Sequence, residues 1–173
     1  MQSNWLTNSL LTPGSVQQAC AAFEVIQRRI EWMEQRGIEQ WPRKHYLRLF
    51  NRAYFEQAAR KKQLWLLKWE NTVLACAVVL DQDDRWQKKP FVPAYYIHNF
   101  ASLPEYPGAG GRLLALLEAK ALQDGKTCLR LDCKTGSAPL NRYYRRRGYA
   151  FAGYFRSAVY NGNLRQKNLS LAD

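Results

Sequence analysis

Three glycines and an arginine stand where a Pro- and Gly-rich turn, residues 103–111, leads into a strongly apolar helical segment. They are Gly108, Gly110, Gly111 and Arg112. The start of a helix presents backbone N–H groups that lack intrahelical partners, together with the positive end of the helix dipole, and glycine lets a ligand approach those groups closely. The pattern indicates a diphosphate site, although a tight strand-to-helix turn would also select glycine.

Two common nucleotide-binding signatures do not match this segment. The turn is not GxxxxGK followed by Ser or Thr, which a Walker-type phosphate loop requires. It is also not a GxGxxG motif early in the chain, with an acidic residue about twenty positions later on a second strand. Neither a Walker-type site nor a dinucleotide fold is therefore expected.

Residues that could transfer protons or bind a metal are few. The histidines are His45 and His98, and His98 lies on the segment that precedes the Gly-rich turn. The four cysteines, at positions 20, 76, 128 and 133, form no CxxC pair, so the sequence offers no tight ligand cluster and we expect no metal. Free thiols in a chain without a signal peptide favour a cytoplasmic location.

The elements that must position these residues can be predicted from periodicity and turn residues. Ser15 and Gln18 predict a capping box at the start of a first helix, which ends at Gly37. The further predicted elements are a helix over about 44–59, a hairpin of strands 64–69 and 73–80, a strand over 91–101, a helix over 112–123, a strand over 127–133, a short helix over 137–147, a strand over 149–155, and a last strand within 156–171 with Asn161-Gly162 as its turn. This order predicts one domain over residues 1–173, with an α/β fold around a mixed sheet.

Composition limits the classes of partner. Apolar residues make up 47% and aromatic residues 13% of the 173 residues, which is typical of a globular chain. The 26 Lys and Arg against 14 Asp and Glu give a net charge of +12 and favour an anionic partner. Because no like-charge run exceeds three residues, the basic residues are better explained as a solvated surface than as a nucleic-acid binding site. Nucleic-acid binding stays open as the alternative. The longest apolar run, 73–80, is too short to span a membrane.

The second half of the chain resembles the GNAT acyltransferase superfamily in order, spacing and residue type. The segments that carry the resemblance are YIHNFASLPEYPGAGGRLLALLEAKA, CLRLDC and APLNRYYRRRGYAFAG, from about Tyr95 to Gly153. A looser likeness covers the whole chain, including RRIEWMEQRGIEQW. The resemblance implies an acyl-CoA N-acyltransferase fold, with a mostly antiparallel central sheet flanked by helices. It also implies acetyl transfer from acetyl-CoA to an amine.

The resemblance further implies a cofactor site, residue by residue. The strand before the turn pairs its backbone with the pantetheine arm in this family, and the matching positions are Phe100, Ala101 and Ser102. The family's pyrophosphate loop corresponds to Gly108-Ala109-Gly110, with a helix that begins near Gly111-Arg112. Ser137 stands where the family often has an asparagine, and Asn141 is a candidate replacement.

The same resemblance assigns a proton donor. Tyr144 lies four residues before Gly148-Tyr149, which is the spacing of the family's usual general acid. A neutral amine attacks the thioester carbonyl, a backbone N–H steadies the oxyanion, and Tyr144 protonates the departing thiolate. His98 is the nearest candidate in sequence for the general base, and a hydrogen-bonded histidine within a sheet is the alternative.

Other interpretations stay open at this point. The Gly-rich loop is about two residues shorter than usual, and Glu105 falls on its first motif position, where an acid does not favour a diphosphate. These departures are the reason for an alternative hypothesis, in which the chain is a non-catalytic acyl-CoA-binding or sensory domain. The net charge is the reason for another, in which the chain is an acetyltransferase that acts on nucleic acid such as charged tRNA. The acceptor is otherwise a small-molecule or peptide amine, and a homodimer is also left open.

Overall fold

The computed structural model describes residues 4–158 and 160–170. Its strands are β1 (Leu10–Pro13), β2 (Leu64–Trp69), β3 (Thr72–Leu80), β4 (Ala94–Ser102), β5 (Cys128–Lys134), β6 (Ala150–Arg156) and β7 (Asn161–Asn168). Its α-helices are α1 (Trp5–Asn8), α2 (Ala19–Glu34), α3 (Arg43–Leu49), α4 (Arg52–Arg60), α5 (Ala109–Gln123) and α6 (Ala138–Arg146), and single 3₁₀ turns cover Val16–Gln18 and Asp84–Trp86.

The strands form a mixed sheet in the order β1-β2-β3-β4-β5-β7-β6. The β4–β5 pair is parallel, with register from Ala94–Cys128 to Ile97–Leu131. The pairs β1–β2, β2–β3, β5–β7 and β6–β7 are antiparallel. The predicted α/β fold, with a mixed and mostly antiparallel sheet flanked by helices, is thereby confirmed.

The chain divides into two compact units. Unit 1 comprises residues 1–79 and 99–117, and unit 2 comprises residues 80–98 and 118–173. Strand β4 and helix α5 each contribute residues to both units. That residues 1–173 behave as one domain stays a prediction.

Helix α2 and helix α4 build the helical part of unit 1. The capping box of Ser15 and Gln18 is present, and it starts a 3₁₀ turn that leads into α2. Val25, Ile26 and Ile30 of α2 are buried, α2 packs against α4, and α4 packs against β2. The helix ends where predicted, because Gly37 takes a φ of +64°.

The predicted single helix over 44–59 is wrong, since α3 and α4 are separate helices. The chain breaks at Asn51, whose extended backbone and side chain start a new helix. Its Oδ1 accepts a hydrogen bond from the Tyr54 amide at 3.1 Å. Asparagine is a strong N-cap, and that local signal overrides the continuous apolar spacing.

The N-terminal segment also holds elements that were not predicted. Residues 10–13 form β1, which pairs with β2 from Leu10–Lys68 to Pro13–Trp65. The sequence shows only a turn here because the partner strand lies far along the chain. Pro13 is compatible with β1, which is the first strand in the sheet order.

Unit 2 is built on β5, β7 and β6, with α6 packed against β5 and β6. Its sheet carries a buried cluster of Trp86, Ala94, Tyr96, Cys128 and Leu164. The prediction of a turn at Asn161-Gly162 is wrong, because β7 begins at Asn161, opposite Arg156. The Ser157 amide donates to the Tyr160 carbonyl at 2.9 Å and closes the actual connection.

No helix within the described residues combines the length and apolar character that crossing a bilayer needs.

Candidate active site

The Gly-rich turn leads directly into the start of α5, which lies in unit 1. Gly108 has a φ of +102°, and α5 begins at Ala109, three residues earlier than expected. The Ala109 amide donates to the Tyr106 carbonyl, and the Arg112 amide donates to the Gly108 carbonyl, each at 3.0 Å. Because the first amides of a helix have no intrahelical acceptor, Gly110 and Gly111 N–H are the donors presented at this end.

Two of the three glycines are required for different physical reasons. A Cβ on Gly110 would lie 3.4 Å from Phe100 Cζ and 3.4 Å from Ser102 Oγ, so the loop and the end of β4 are in close contact. A Cβ on Gly108 would meet nothing closer than 3.8 Å, so its positive φ is what selects glycine. The structure thus brings Phe100, Ser102 and Gly110 together as one site.

Arg112 supplies a further donor beside this loop. Its Nε is buried and has no hydrogen-bond partner among the described residues. A buried guanidinium N–H without an acceptor is costly, and an anionic oxygen would satisfy it. The orphaned donor and the glycine amides together fit a diphosphate.

Two arginines of α2 act on the loop that carries Glu105. Arg28 Nη2 forms an ion pair with Glu105 Oε1, so the acidic charge at the first motif position has a cationic neighbour. Arg29 donates from Nε to the Ser102 carbonyl at 2.8 Å and from Nη2 to Ser102 Oγ at 3.0 Å. Burial lowers the pKa of Arg29 from its ordinary value, and Glu105 opposes that shift. Neither contact could be predicted from the sequence.

Tyr144 lies in unit 2, on the inner face of α6. It is 5% exposed, and its ring packs against the rings of Tyr143 at 5.2 Å and Tyr149 at 5.8 Å. Gly148, with a φ of +86°, ends the helix and lets the Tyr149 amide donate to the Tyr144 carbonyl at 3.0 Å. Burial raises the pKa of Tyr144 well above its ordinary value, so the phenol keeps its proton at neutral pH.

Asn141 is engaged with its own unit. Its Nδ2 donates to the carbonyls of Lys134 at 2.9 Å and Ser137 at 2.8 Å. Its Oδ1 accepts from Asn163 at 2.7 Å and from Arg165 Nη2 at 2.9 Å. These contacts tie α6 to β7 and to the turn after β5, and a cofactor contact for Asn141 stays a prediction. Ser137 is the N-cap residue of α6.

His98 is paired with a carboxylate that the sequence analysis did not single out. Its Nε2 lies 2.8 Å from Oδ2 of Asp83, and their side chains are 16% and 9% exposed. Burial works against ionisation of Asp83, but hydrogen bonds from His98 and the Arg85 amide lower its pKa below the ordinary value. An ionised carboxylate only accepts hydrogen bonds, so Nε2 carries the hydrogen of this bond and Nδ1 is the ring nitrogen that keeps a lone pair.

Asp83 is held in place by the loop between β3 and β4. Its Oδ1 caps the turn Asp84–Trp86 by accepting from the Arg85 amide at 3.0 Å. Arg85 in turn forms an ion pair with Asp132 of β5. From the sequence, Asp83 could be assigned only to a polar loop. The one signal that could have pointed to it was an acidic residue followed by residues that favour a capped turn.

No group of three or more His, Cys, Asp or Glu side chains in the described residues could hold a metal ion.

The model of the acetyltransferase (GNAT) family matches residues 23–149. The chain belongs to the GNAT family. A relative of this GNAT chain is YesJ of Bacillus subtilis, which is described as an uncharacterised N-acetyltransferase. The two are 26% identical over 148 residues, and the alignment covers 82% of this chain and 81% of YesJ.

Solved structures agree with the GNAT fold. A GNAT-family acetyltransferase of Listeria monocytogenes superimposes with a TM-score of 0.76 at 20% identity, over 93% of this chain and 95% of that one. The PaiA N-acetyltransferase of Thermoplasma acidophilum, solved in complex with coenzyme A, gives 0.71 at 13% identity, over 93% and 99% of the two chains. At these identities the likeness concerns the fold.

Proposed function

We propose that this GNAT-family chain is an N-acetyltransferase that moves an acetyl group from acetyl-CoA to an amine. The observation that carries the proposal is the start of α5, where Gly110 lies against Phe100 and Ser102 at the end of β4, the amides of Gly110 and Gly111 have no intrahelical acceptor, and the Nε of Arg112 in the same helical turn has no partner among the described residues. The coenzyme A complex of PaiA, a protein of the same fold, supports a CoA-based acyl donor.

The proposed cofactor site follows from these residues. Gly108 and Ala109 form the loop, the amides of Gly110 and Gly111 and the Arg112 side chain bind the diphosphate, and the backbone of Phe100–Ser102 pairs with the pantetheine arm. Ser137 and Asn141 contribute through α6, and the contacts of Asn141 fix where that helix begins. The pairing of Glu105 with Arg28 removes part of the reason for regarding the loop as non-functional.

The proposed chemistry assigns one proton transfer to each of two residues. Acetyl-CoA supplies the acetyl group as an activated thioester. His98, oriented by Asp83, accepts the amine proton at Nδ1. Tyr144 stays protonated at neutral pH and donates to the departing thiolate. We place this reaction in the cytoplasm, because Cys76, Cys128 and Cys133 are buried free thiols.

A second candidate function, transfer to an amine carried by nucleic acid, is favoured by one surface of unit 2. Pro139, Arg142, Tyr143, Arg146 and Arg147 line a shallow groove along α6. A groove with three arginines attracts phosphates, and the net charge of +12 acts in the same direction. This acceptor would be favoured if tRNA binds, if the binding weakens steeply with salt, and if it is lost in the double variant R142Q/R146Q. Absence of tRNA binding at low salt would exclude this candidate function.

The experiment that tests the main proposal measures release of free CoA from acetyl-CoA over a panel of amines. The panel contains small amines, peptides with free N-termini and aminoacyl-tRNA. We expect turnover with at least one class, and that class identifies the acceptor. Binding of acetyl-CoA without turnover over the whole panel would instead support a non-catalytic sensory domain.

A further inference from the structure

Asn99 has a backbone conformation that is unusual for its place in the chain. It lies within β4 and has a φ of +47°. Among the described residues, the other non-glycine residues with positive φ are Lys62 and Glu70, and both lie in turns. Left-handed backbone is unfavourable for L-residues, and a residue held in it within a strand is often part of a functional site.

Two tyrosines hold the Asn99 side chain. Asn99 Nδ2 donates to the hydroxyl of Tyr46 at 2.7 Å, and Asn99 Oδ1 accepts from the hydroxyl of Tyr54 at 2.8 Å. Tyr46 belongs to α3 and Tyr54 to α4, so two separate helices fix one amide. Asn99 is 8% exposed, and a buried amide held at both ends cannot rotate without losing a hydrogen bond.

Neighbouring rings fix the tyrosines themselves. Trp41 stacks on Tyr46, with centroids 4.6 Å apart and planes inclined by 18°. Phe50 contacts Tyr46 at 4.7 Å and Tyr54 at 5.0 Å. We call Asn99, Tyr46 and Tyr54 the Asn99 clamp. Its parts are pre-arranged by packing, so little conformational freedom remains to be lost when a ligand binds.

The clamp acts on the backbone immediately downstream. Phe100, Ala101 and Ser102 follow Asn99 directly, and the side chains of Phe100 and Ser102 lie against Gly110. Arg29 holds the far end of this segment through the Ser102 carbonyl. The torsion angles of Asn99 therefore decide the direction in which the next three N–H and C=O groups point.

We propose that the Asn99 clamp is a positioning device. Through it, helices α3 and α4 set the backbone of Phe100–Ser102 for the acyl-CoA arm. The inference rests on the proposed function, and it adds residues that neither the family model nor the sequence motifs assign. Asn99, Tyr46 and Tyr54 are positioning residues, because they act through the strand and not on the reacting atoms.

The test compares the double variant Y46F/Y54F with a matched control. The variant keeps both rings and removes both hydroxyls, and we expect the KM for acetyl-CoA to rise about tenfold, since two neutral hydrogen bonds are lost. The kcat should fall by a smaller factor. The control is Y95F, whose hydroxyl bonds Asp124 in unit 2, and it should match wild type in KM.

A second pair of variants separates conformation from simple loss of a side chain. Glycine accepts a positive φ at no steric cost, whereas alanine resists it. We therefore expect N99G to raise the KM for acetyl-CoA less than N99A does. Equal KM values in N99A and N99G would overturn the conformational role of Asn99.

Hydrogen exchange of the unliganded protein keeps the inference distinct from the proposed function. The amides of Phe100–Ser102 should exchange faster in Y46F/Y54F than in wild type and in Y95F. If wild type binds and turns over acetyl-CoA but Y46F/Y54F has unchanged KM and exchange, the clamp is overturned and the function stands. If wild type binds no CoA by calorimetry, the proposed function fails first, and the clamp's role in cofactor binding fails with it.

Discussion

Tyr143 and Tyr144 are adjacent in sequence, yet their surroundings differ. Tyr144 is buried against Tyr149, whereas Tyr143 lies in the arginine-lined groove with the Arg147 guanidinium 4.7 Å from its ring centre. Only Tyr144 combines an inward position with the spacing that the family uses for its general acid. Of the two neighbouring phenols, only that of Tyr144 is therefore expected to act as the acid.

Replacing Tyr144 with phenylalanine tests that distinction. We expect Y144F to lower kcat about a hundredfold, because a positioned general acid contributes at least that much, while the Kd for acetyl-CoA stays nearly unchanged. Steady-state release of CoA measures kcat, and calorimetry measures the Kd. Y143F is the matched control and should keep its kcat. A normal kcat in Y144F would show that another group protonates the thiolate.

The pair of Asp83 and His98 can be tested by removing the carboxylate. Despite burial, hydrogen bonds from His98 and from the Arg85 amide lower the pKa of Asp83, so the carboxyl group is ionised at neutral pH and orients the imidazole ring. We expect D83N to lower the kcat/KM at neutral pH, because the proposed base is less well oriented. D84N is the control, since Asp84 is exposed and bonds Gln87. An unchanged kcat/KM in D83N would remove the pair from the proposed mechanism.

Individual site residues could be predicted from the sequence only where a motif names them. Gly108, Gly110 and Tyr144 follow from the resemblance, and in the structure Gly108 has a positive φ while Gly110 lies against Phe100 and Ser102. Asp83 and Asn99 could not be predicted in this way. Their contacts join residues that lie 15 and at least 45 positions apart in the chain, and no local pattern records such a distance.

Secondary-structure elements were predictable where a local signal is strong. The capping box before α2 and the hairpin of β2 and β3 have such signals, and both are present. Strand β1 has a partner more than fifty residues away, so its short apolar stretch gives no indication of a strand on its own. The break between α3 and α4 depends on a single N-cap, which apolar periodicity does not register.

The junction of the Gly-rich loop with β4 can be tested by one substitution. In G110V, the added Cβ would lie 3.4 Å from Phe100 and from Ser102, and the larger branched side chain would force the loop away from β4. We expect CoA affinity to fall at least tenfold, as the loop amides lose their positions. G136V is the control, because a Cβ at Gly136 meets nothing within 4 Å. Undiminished affinity in folded G110V would place the diphosphate elsewhere.

Two elements, β4 and α5, belong in part to each of the two compact units. If one unit unfolded by itself, β4 and α5 would therefore each lose the residues that belong to that unit. We expect thermal unfolding to show one transition, with near-UV and far-UV circular dichroism melting together. Addition of CoA should raise that single Tm, because a ligand of the native state stabilises it. Two separated transitions would contradict the prediction of one domain over residues 1–173.

The central claim is that backbone amides at the start of α5 bind the diphosphate of coenzyme A. The most direct measurement is an isothermal titration of the purified, folded wild-type chain with CoA and with acetyl-CoA, alongside G110V and G136V. We expect saturable one-to-one binding of both ligands by wild type and G136V, and a loss of affinity confined to G110V. Folded wild-type protein that takes up neither ligand would contradict it.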